Sequence, residues 1–524
     1  MIINWQHLLK ALIDIRRKMF KIIDSFIDKI TMYKLIMYYL VALILVAIGL
    51  SVFKDLRYNP YYIAISALIL VTASWTINKM FANFFSAPTN SESSIISGLI
   101  LTLIVAPNPT GYGIMFLLAA SGLAIASKYL LTIRRKHLFN PAAIAVVLTA
   151  LGARQSATWW VGTAVMLPFV LIGGVLIVRK IRRTKMVLGF FISSTFATIV
   201  YSIMSKVSVT TSLHNLIFSS AMFFLGFVML TEPLTSPTTS KKQTWYGVLV
   251  GLLLPPQVHL LGVYSSPEIA LIIGNLFSYI VSPKTKLFLT LKEKIRIAAT
   301  SVEFVFTPSR KLAYQPGQYM EWTLPHQKTD IRGGRRYFTL ASSPTENDIR
   351  IGVKFFENGS SFKEALLDAN HQTPIVASQI SGDFVLPKDK SLKLVFIAGG
   401  IGITPFRSMI KYLIDKKETR VVNLLYSVRN EKEISYRDIF ETARSSIGLK
   451  TIYTITDDNS AVTKSNIHVG KITPKLIRTE VPDFSDRIFY ISGTHSMVDA
   501  VKEMLVQLGV EKHQIKTDFF PGYV

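Results

Sequence analysis

The sequence contains no cysteine. That excludes disulfides, thiolate nucleophiles and cysteine-held iron–sulfur clusters from this chain. It is also short of acidic residues, with 33 Asp and Glu against 58 Lys and Arg over 524 residues, a net charge of +25. The shortage is local: between Ile36 and Ser282 the acids are Asp55, Glu92, Glu232 and Glu268, whereas from Lys284 onward the charges are mixed. Excess positive charge can mark a nucleic-acid partner. Here the Lys and Arg flank apolar segments, as positive-inside loops do, so no nucleic acid is expected. Paired histidines inside apolar segments are missing too. His137 falls in a loop, His214 at a segment edge and His259 in another loop, which argues against a haem pair. Met1 to Tyr33 is amphipathic and basic, without a small-residue cleavage site, so it is expected along the cytoplasmic face rather than as a secretory signal.

What the first half has is apolar runs, at about 36–53, 60–78, 94–106, 111–127, 140–152, 158–178, 186–204, 212–231, 244–256 and 267–282. The reading is ten membrane spans, several shorter than the roughly 20 residues a straight crossing needs and broken or tilted at their Pro or Gly ends. With the N-terminus inside, the inner loops hold Lys79, Lys128, Arg134, Arg135, Lys136, Arg179, Lys180, Arg182, Arg183, Lys185, Lys241 and Lys242. The outer loops hold Lys54, Arg57, Arg154 and Lys206. The bias places both termini on the cytoplasmic side of an inner (cell) membrane, with lipid as the surrounding partner.

Three polar interruptions break this half: "SGLILTLIVAPNPTG" from Ser97, "RRKHLFNPAA" from Arg134 and "MLTEPLTSPTTSKK" from Met229, with Pro107, Pro109, Pro141, Pro233 and Pro237 at segment ends. A proline there can simply stop a helix. Interruptions at corresponding places of two five-span halves instead suggest inverted repeats around a binding site. Glu232, one acid among prolines and hydroxyls, is a site candidate.

The Phe139-Asn140-Pro141-Ala142 and Thr231-Glu232-Pro233-Leu234-Thr235-Ser236-Pro237 motifs and the span layout over roughly 36–285 resemble the RnfD/NqrB family. These are the flavin-carrying membrane proteins common to the Rnf complex and the sodium-pumping NADH:quinone reductase. The family usually has Asp where this chain has Glu232, and its Ser-Gly-Ala-Thr site for covalent FMN is missing here. The resemblance therefore implies noncovalent FMN or riboflavin between the spans, with Asn140, Glu232, Thr235 and Thr238 as cofactor-binding candidates.

From about Leu287 the pattern alternates as short strands, "KIRIAATSVEFVFTP" then "PGQYMEWTLP", which predicts a small antiparallel β-barrel over 286–390. In "RRYFTLASSP" a strand puts Arg336 and Phe338 on one face, a cation for a pyrophosphate and an aromatic edge for a flavin. "VKFFENGSSFKEAL" runs from strand to helix through Gly359-Ser360-Ser361, a second anion cradle. "LKLVFIAGGIGITPFRSMI" is a buried strand, a glycine turn and a helix with Pro405 early in it. It opens a set of alternating strands and helices over 391–524, predicting a parallel sheet with ligands at the strand C-termini.

The order Arg-x-Phe-Thr, Gly-Ser-Ser, Gly-Gly-x-Gly-x-Thr-Pro, Ile-Ser-Gly-Thr-His-Ser-Met over about 286–524 resembles the ferredoxin–NADP reductase superfamily. The resemblance implies FAD on Arg336, Phe338, Thr339, Gly359, Ser360 and Ser361. It also implies the nicotinamide nucleotide's pyrophosphate on Gly399, Gly400, Gly402, Thr404 and Pro405. Where many members have Cys-Gly beside the nicotinamide, this chain has Ser492-Gly493, making Ser492 and Thr404 the catalytic candidates. Tyr523 or Phe519 in "DFFPGYV" would lie against the flavin. Ser427 and Arg429 suit a 2′-phosphate while Asp457 and Asp458 repel one, a balance that leans to NADH.

The expected function is a membrane oxidoreductase passing electrons from cytoplasmic NAD(P)H through FAD to a membrane-domain flavin. From there they go to a quinone or an electron-acceptor protein, an extracytoplasmic flavoprotein included. The alternative is a membrane-anchored FAD reductase feeding a partner oxygenase or desaturase. A transporter with a regulatory cytoplasmic domain fits less well, because the catalytic motifs look complete. No metal site is expected.

Overall fold

In the computed structural model the described residues are 30–85, 91–133, 136–260, 262–282, 286–327, 329–330, 333–357, 359–457 and 466–520, with Ile23 and Ile27. Tyr523, Asp458 and nearly all of the N-terminal amphipathic segment lie outside them. The chain divides into two compact units, residues 1–285 and 286–524.

The first unit is helical. Its helices are α1 (Met32–Val52), α2 (Pro60–Phe84), α3 (Ser91–Ile104), α4 (Tyr112–Leu130), α5 (Pro141–Ala153), α6 (Leu167–Ile181), α7 (Thr184–Met204), α8 (Val209–Phe218), α9 (Ser240–Leu253) and α10 (Pro267–Val281). Cap and proline choose the starts. Asn59, Asn140 and Ser266 accept a backbone N–H of the first turn, and the proline that follows each begins the helix. Pro141, read from sequence as an interruption, thus opens α5.

Each of the ten apolar runs contains a helix, but they differ in length. Among the described residues α1, α2, α4 and α7 are long and apolar enough to cross a membrane, and a fifth span arises if α8 and Met222–Met229, bent by 54°, count as one. The latter contains a π-helical stretch, Leu225–Met229, a common mark of a functional kink. Helices α3, α5 and α10 are shorter: at 1.5 Å per residue they reach about 20–23 Å, less than the roughly 30 Å of hydrocarbon. Helices α7 and α9 pack at backbone contact. A Cβ at Gly247 would lie 2.1 Å from the Met186 carbonyl oxygen and one at Gly251 2.5 Å from that of Phe190, the close approach that small residues four apart permit.

The second unit carries two sheets. The first comprises β1 (Lys286–Ala298), β2 (Ser301–Pro308), β3 (Tyr319–Thr323), β4 (Arg335–Thr339), β5 (Ile349–Lys354) and β6 (Ile375–Ser381), antiparallel in the order β4-β3-β6-β1-β2-β5. It curls until its edges meet beyond β4, where Ala341 N donates to Arg350 O at 2.8 Å. Phe304, Phe306, Trp322, Leu340 and Ile351 fill the inside, and α11 (Ser361–Asp368) closes it with Phe362.

The second sheet is parallel: β7 (Leu394–Gly399), β8 (Val422–Val428), β9 (Lys450–Ile455), β10 (Ile467–Val469), β11 (Ile488–Thr494) and β12 (Ile515–Phe520), in the order β10-β9-β8-β7-β11-β12. Both faces are covered, so the strands are apolar throughout. Leu394, Phe396 and Ala398 face the core that includes α12 (Thr404–Asp415) and α13 (Arg437–Ile447). Val395 and Ile397 face the core that includes α14 (Pro474–Glu480) and α15 (His495–Gln507). From β7 the chain winds outward to β10, then returns to the other side of β7 as β11. The reversal leaves a crevice at the C-terminal ends of β7 and β11, where such sheets bind ligands.

Candidate functional site

The glycine turn sits at that crevice. Ala398 and Ser492 are register partners across β7 and β11, so Gly399–Gly402 and Ser492–Gly493 come together. The three turn glycines have different duties. A Cβ at Gly402 would meet Ser492 O at 2.5 Å and Gly493 Cα at 2.7 Å, and one at Gly399 would meet Met497 Sδ at 2.1 Å. Gly402 is needed for the turn to lie against the β11 backbone, whereas Gly399 faces the flexible end of the Met497 side chain of α15. Gly400 alone combines a positive φ, +53°, with open space around its Cβ position, so it is the point where a phosphate can approach the backbone.

Pro405 occupies the first turn of α12. The Thr404 hydroxyl donates back to Ile401 O at 3.2 Å, and its methyl faces Gly352, whose Cβ would be 2.8 Å away. Thr404 therefore holds the turn in shape and faces the curled sheet. The Ser492 hydroxyl is fully buried with no hydrogen-bond partner among the described residues, an orphan that a ligand amide would satisfy. Asp457 N donates to Arg429 O at 2.9 Å, which places the acid and the base weighed for nucleotide choice side by side at the ends of β9 and β8.

The flavin candidates gather around α11. Arg336 and Phe338 share one face of β4 and both lie against Phe362, the guanidinium carbon 5.3 Å from its ring centre and the Phe338 ring 5.9 Å away. Ser360 caps α11, its hydroxyl accepting Lys363 N–H. Gly359 is partly exposed, and a Cβ there would make only an ordinary 3.4 Å contact. Ser361 is engaged by residues that sequence reasoning missed. Its N–H donates to Asp330 Oδ2 at 3.1 Å, and its hydroxyl lies 3.0 Å from both His326 Nε2 and Asp330 N. Asp330 Oδ1 is also 3.7 Å from Arg336 Nη2. A carboxylate thus sits between a helix N-terminus and a guanidinium, on the donors a pyrophosphate would use. The Thr339 hydroxyl is buried without a hydrogen-bond partner among the described residues. These residues fit FAD.

Electrostatics tighten the joint between the two sheets. Burial and the neighbouring Glu303 carboxylate push the Tyr436 hydroxyl well above its ordinary pKa. Burial opposes charge on Glu433, yet Lys354 Nζ at 2.8 Å and the Thr300 hydroxyl outweigh it and hold its pKa below the usual value.

In the helical unit the structure joins Asn140, Glu232 and Thr235. Glu232 Oε2 accepts Asn140 Nδ2–H at 2.8 Å and the Thr235 hydroxyl at 3.1 Å, and His137 Nε2 lies 3.7 Å from Oε1. Asn275 Oδ1 accepts Asn140 N–H at 2.8 Å, and its Nδ2 donates to Tyr246. A lone Asn in the apolar α10 run was the available signal for it. Thr238 stands apart, its hydroxyl 3.3 Å from that of Ser282. The pocket edged by His137, Leu234, Thr235, Asn275, Ser278 and Ser282 holds about 20 Å³, room for roughly one water. A flavin ring does not fit it as it stands.

The chain is 25% identical over 243 residues to flavohemoprotein A of Dictyostelium discoideum, covering 43% of this chain and 58% of that protein. It is 26% identical over 209 residues to the flavohemoprotein of Bacillus subtilis, covering 40% and 51%. It is 27% identical over 212 residues to the reductase component of propane 2-monooxygenase from Rhodococcus jostii, covering 40% and 55%. The chain thus spans little more than half the length of these relatives. Among solved structures, the FAD/NAD-binding domain of nitric oxide dioxygenase from Vibrio cholerae is matched over 45% of this chain and 98% of that one, at 23% identity and a TM-score of 0.39. A ferredoxin NADP+ reductase from Neisseria gonorrhoeae with bound FAD and NADP is matched over 45% and 99%, at 17% and 0.38. Residues 396–503 match the family model of the oxidoreductase NAD-binding domain and residues 155–286 that of the NQR2, RnfD, RnfE family, so the chain joins an FAD/NAD oxidoreductase domain to an RnfD-like membrane domain.

Proposed function

We propose that the protein is a membrane-bound NAD(P)H oxidoreductase of the inner membrane, with both termini cytoplasmic. Its domains are a membrane domain at 36–285, an FAD domain at 286–390 and a nucleotide domain at 391–524. Electrons taken from NAD(P)H leave through the membrane domain toward a quinone or an extracytoplasmic acceptor protein. The observation that carries the reading is the crevice between β7 and β11, where Gly400 opens the backbone and the Ser492 hydroxyl is buried without a hydrogen-bond partner among the described residues. Bound FAD supplies the chemistry of taking a hydride and giving up single electrons. The chain supplies the holding. Arg336 and the α11 N-terminus bind the FAD pyrophosphate, and Phe338 lies at the ring edge. Gly400 admits the nucleotide's phosphates, and Ser492 offers a hydrogen bond to the nicotinamide. Asp457 beside Arg429 leans the nucleotide toward NADH. The pocket near Glu232, at about 20 Å³, is assigned no flavin.

A second reading, an anchored reductase serving a partner oxygenase, gains from the likeness to a monooxygenase reductase component. Flavin per polypeptide in detergent-purified protein, with identification of the flavin and anaerobic titration by NADH and NADPH, separates the readings. FAD plus a second flavin supports a path through the membrane domain. A single FAD reduced by NADH favours the anchored reductase. Absence of FAD refutes both.

A further inference from the structure

Helix α12 begins at Thr404, directly after the glycine turn, and one face of it is docked on the turn that directly follows β4. Arg407, 4% exposed, donates through Nη2 to Glu346 Oε1 at 3.0 Å. Through Nη1 it donates to the other carboxylate oxygen and to Ala341 O. One residue on, the Ser408 hydroxyl donates to Ser342 O at 2.6 Å. Glu346 is itself fixed: its Oε2 accepts Ser343 N–H at 2.6 Å, and its Oε1 lies 3.4 Å from Arg350 Nε, whose Nη1 is 2.7 Å from Glu303 Oε2. Beside this chain of charges Gly352 lets β5 lie close to the nucleotide domain, since a Cβ there would come within 2.7 Å of the Tyr436 hydroxyl.

A buried ion pair is a weak device for stability, because apolar side chains of similar size fill the same space without desolvating charge. What an apolar contact lacks is direction. A guanidinium gripping both oxygens of one carboxylate fixes angle and register together. Here the grip joins two segments, 341–346 and 404–408, each immediately downstream of one half of the site.

We propose that Arg407 and Glu346 are positioning residues for hydride transfer, setting the nucleotide turn at its working distance from the flavin strand. The proposal rests on the reading that FAD lies on Arg336–Thr339 and the nucleotide on Gly399–Thr404. Neither side chain touches the reacting atoms; each acts through the backbone that follows a cofactor cradle.

The test uses the full-length protein in detergent and compares wild type, Arg407→Lys, and the double variant Arg407→Met with Glu346→Leu. FAD content, thermal midpoint, NADH affinity and the rate of flavin reduction at saturating NADH are measured for each. The double variant removes both charges of the pair but leaves Ser343 N–H and Ala341 O without these partners, so it is expected to melt several degrees below wild type while keeping its FAD and NADH affinity. Its flavin reduction is expected to fall by about 100-fold, the scale of an ångström of misplacement. Arg407→Lys, which keeps the charge but not the fork, is expected to fall in between. A double variant that holds FAD and reduces it at the wild-type rate overturns the proposal. If the double variant does not fold, an unchanged rate in Arg407→Lys overturns it instead. Wild-type protein without FAD removes the underlying reading, a result distinct from either.

Discussion

Replacing Gly402 and Gly400 by alanine separates the glycine that packs from the glycine that meets ligand. At Gly402 the new methyl would lie 2.5 Å from Ser492 O, 2.6 Å from Ser492 C and 2.7 Å from Gly493 Cα. All three are backbone atoms of a central strand, so no rotamer relieves the clash. Overpacking of this kind costs about 1–3 kcal/mol, or about 2–12 °C of melting temperature for a unit of this size. At Gly400 nothing lies within 4 Å and the cost is the +53° φ. That is about 1–2 kcal/mol for an L residue, offset in part by about 0.4–1 kcal/mol from a stiffer unfolded chain. Gly400→Ala should therefore melt close to wild type yet lose NADH affinity by tenfold or more, since its methyl occupies the phosphate's approach. Gly402→Ala should show the larger melting shift. Differential scanning fluorimetry and anaerobic NADH titration of both variants check this. A Gly402→Ala protein as stable as wild type, or a Gly400→Ala protein with unchanged NADH affinity, refutes the division of roles.

Ser492→Ala removes a buried hydroxyl that has no hydrogen-bond partner among the described residues, so stability should hold or rise. The rate of flavin reduction by NADH, read by stopped flow, should drop about tenfold if the lost hydroxyl bond is worth about 1.4 kcal/mol. Glu433 has a folded pKa held below its ordinary value by Lys354 and Thr300. Its stabilisation is present above the unfolded value of about 4.3 and fades as pH falls through the folded one. Melting curves of Glu433→Gln should therefore lose less between neutral pH and pH 3 than those of wild type, and parallel curves would count against the pairing. Asp330→Asn removes the negative charge now seated between Ser361 N and Arg336. FAD binding, followed by flavin fluorescence quenching, should tighten several-fold, whereas weaker binding would mean that Asp330 supports the cofactor rather than standing in for its phosphate.

The signals legible in the sequence were short-range. Alternation along "SVEFVFTP" and the strand–glycine–helix run at Phe396 are written into neighbouring residues, and each appears where backbone chemistry puts it. Partners distant in the chain were not legible. The sequence did not tell that the Cβ direction of Gly399 is taken by Met497 and that of Gly402 by Ser492, because nothing near position 400 announces which strand will lie beside it. Asp330 and His326 escaped notice for the same reason: their partner is Ser361, across the curled sheet. One span start was read too early, because hydropathy counts an apolar turn as helix. The expected span at 158–178 starts as a short 3-10 turn, Trp160–Gly162, and becomes an α-helix only at Leu167.

The carboxylate at Glu232 raises a harder question, because its neighbours also hold the fold. Asn140 caps α5 while its N–H is bound by Asn275 of α10, which in turn binds Tyr246 of α9. Truncating Asn140 or Asn275 would damage three helix contacts at once, and a lost activity would say nothing about a site. Glu232→Gln is the discriminating change. A glutamine can keep an acceptor for Asn140 Nδ2 and turn its amide toward His137, so size and most hydrogen bonds survive while the charge does not. If Glu232 only ties the segment before α9 to α5, the variant should melt within a few degrees of wild type and pass electrons normally. A charge in an apolar bundle is retained at a cost that function ordinarily explains. The expected outcome is therefore unchanged flavin reduction by NADH but slowed delivery to a quinone added in proteoliposomes, and equal delivery would leave Glu232 as a structural tie.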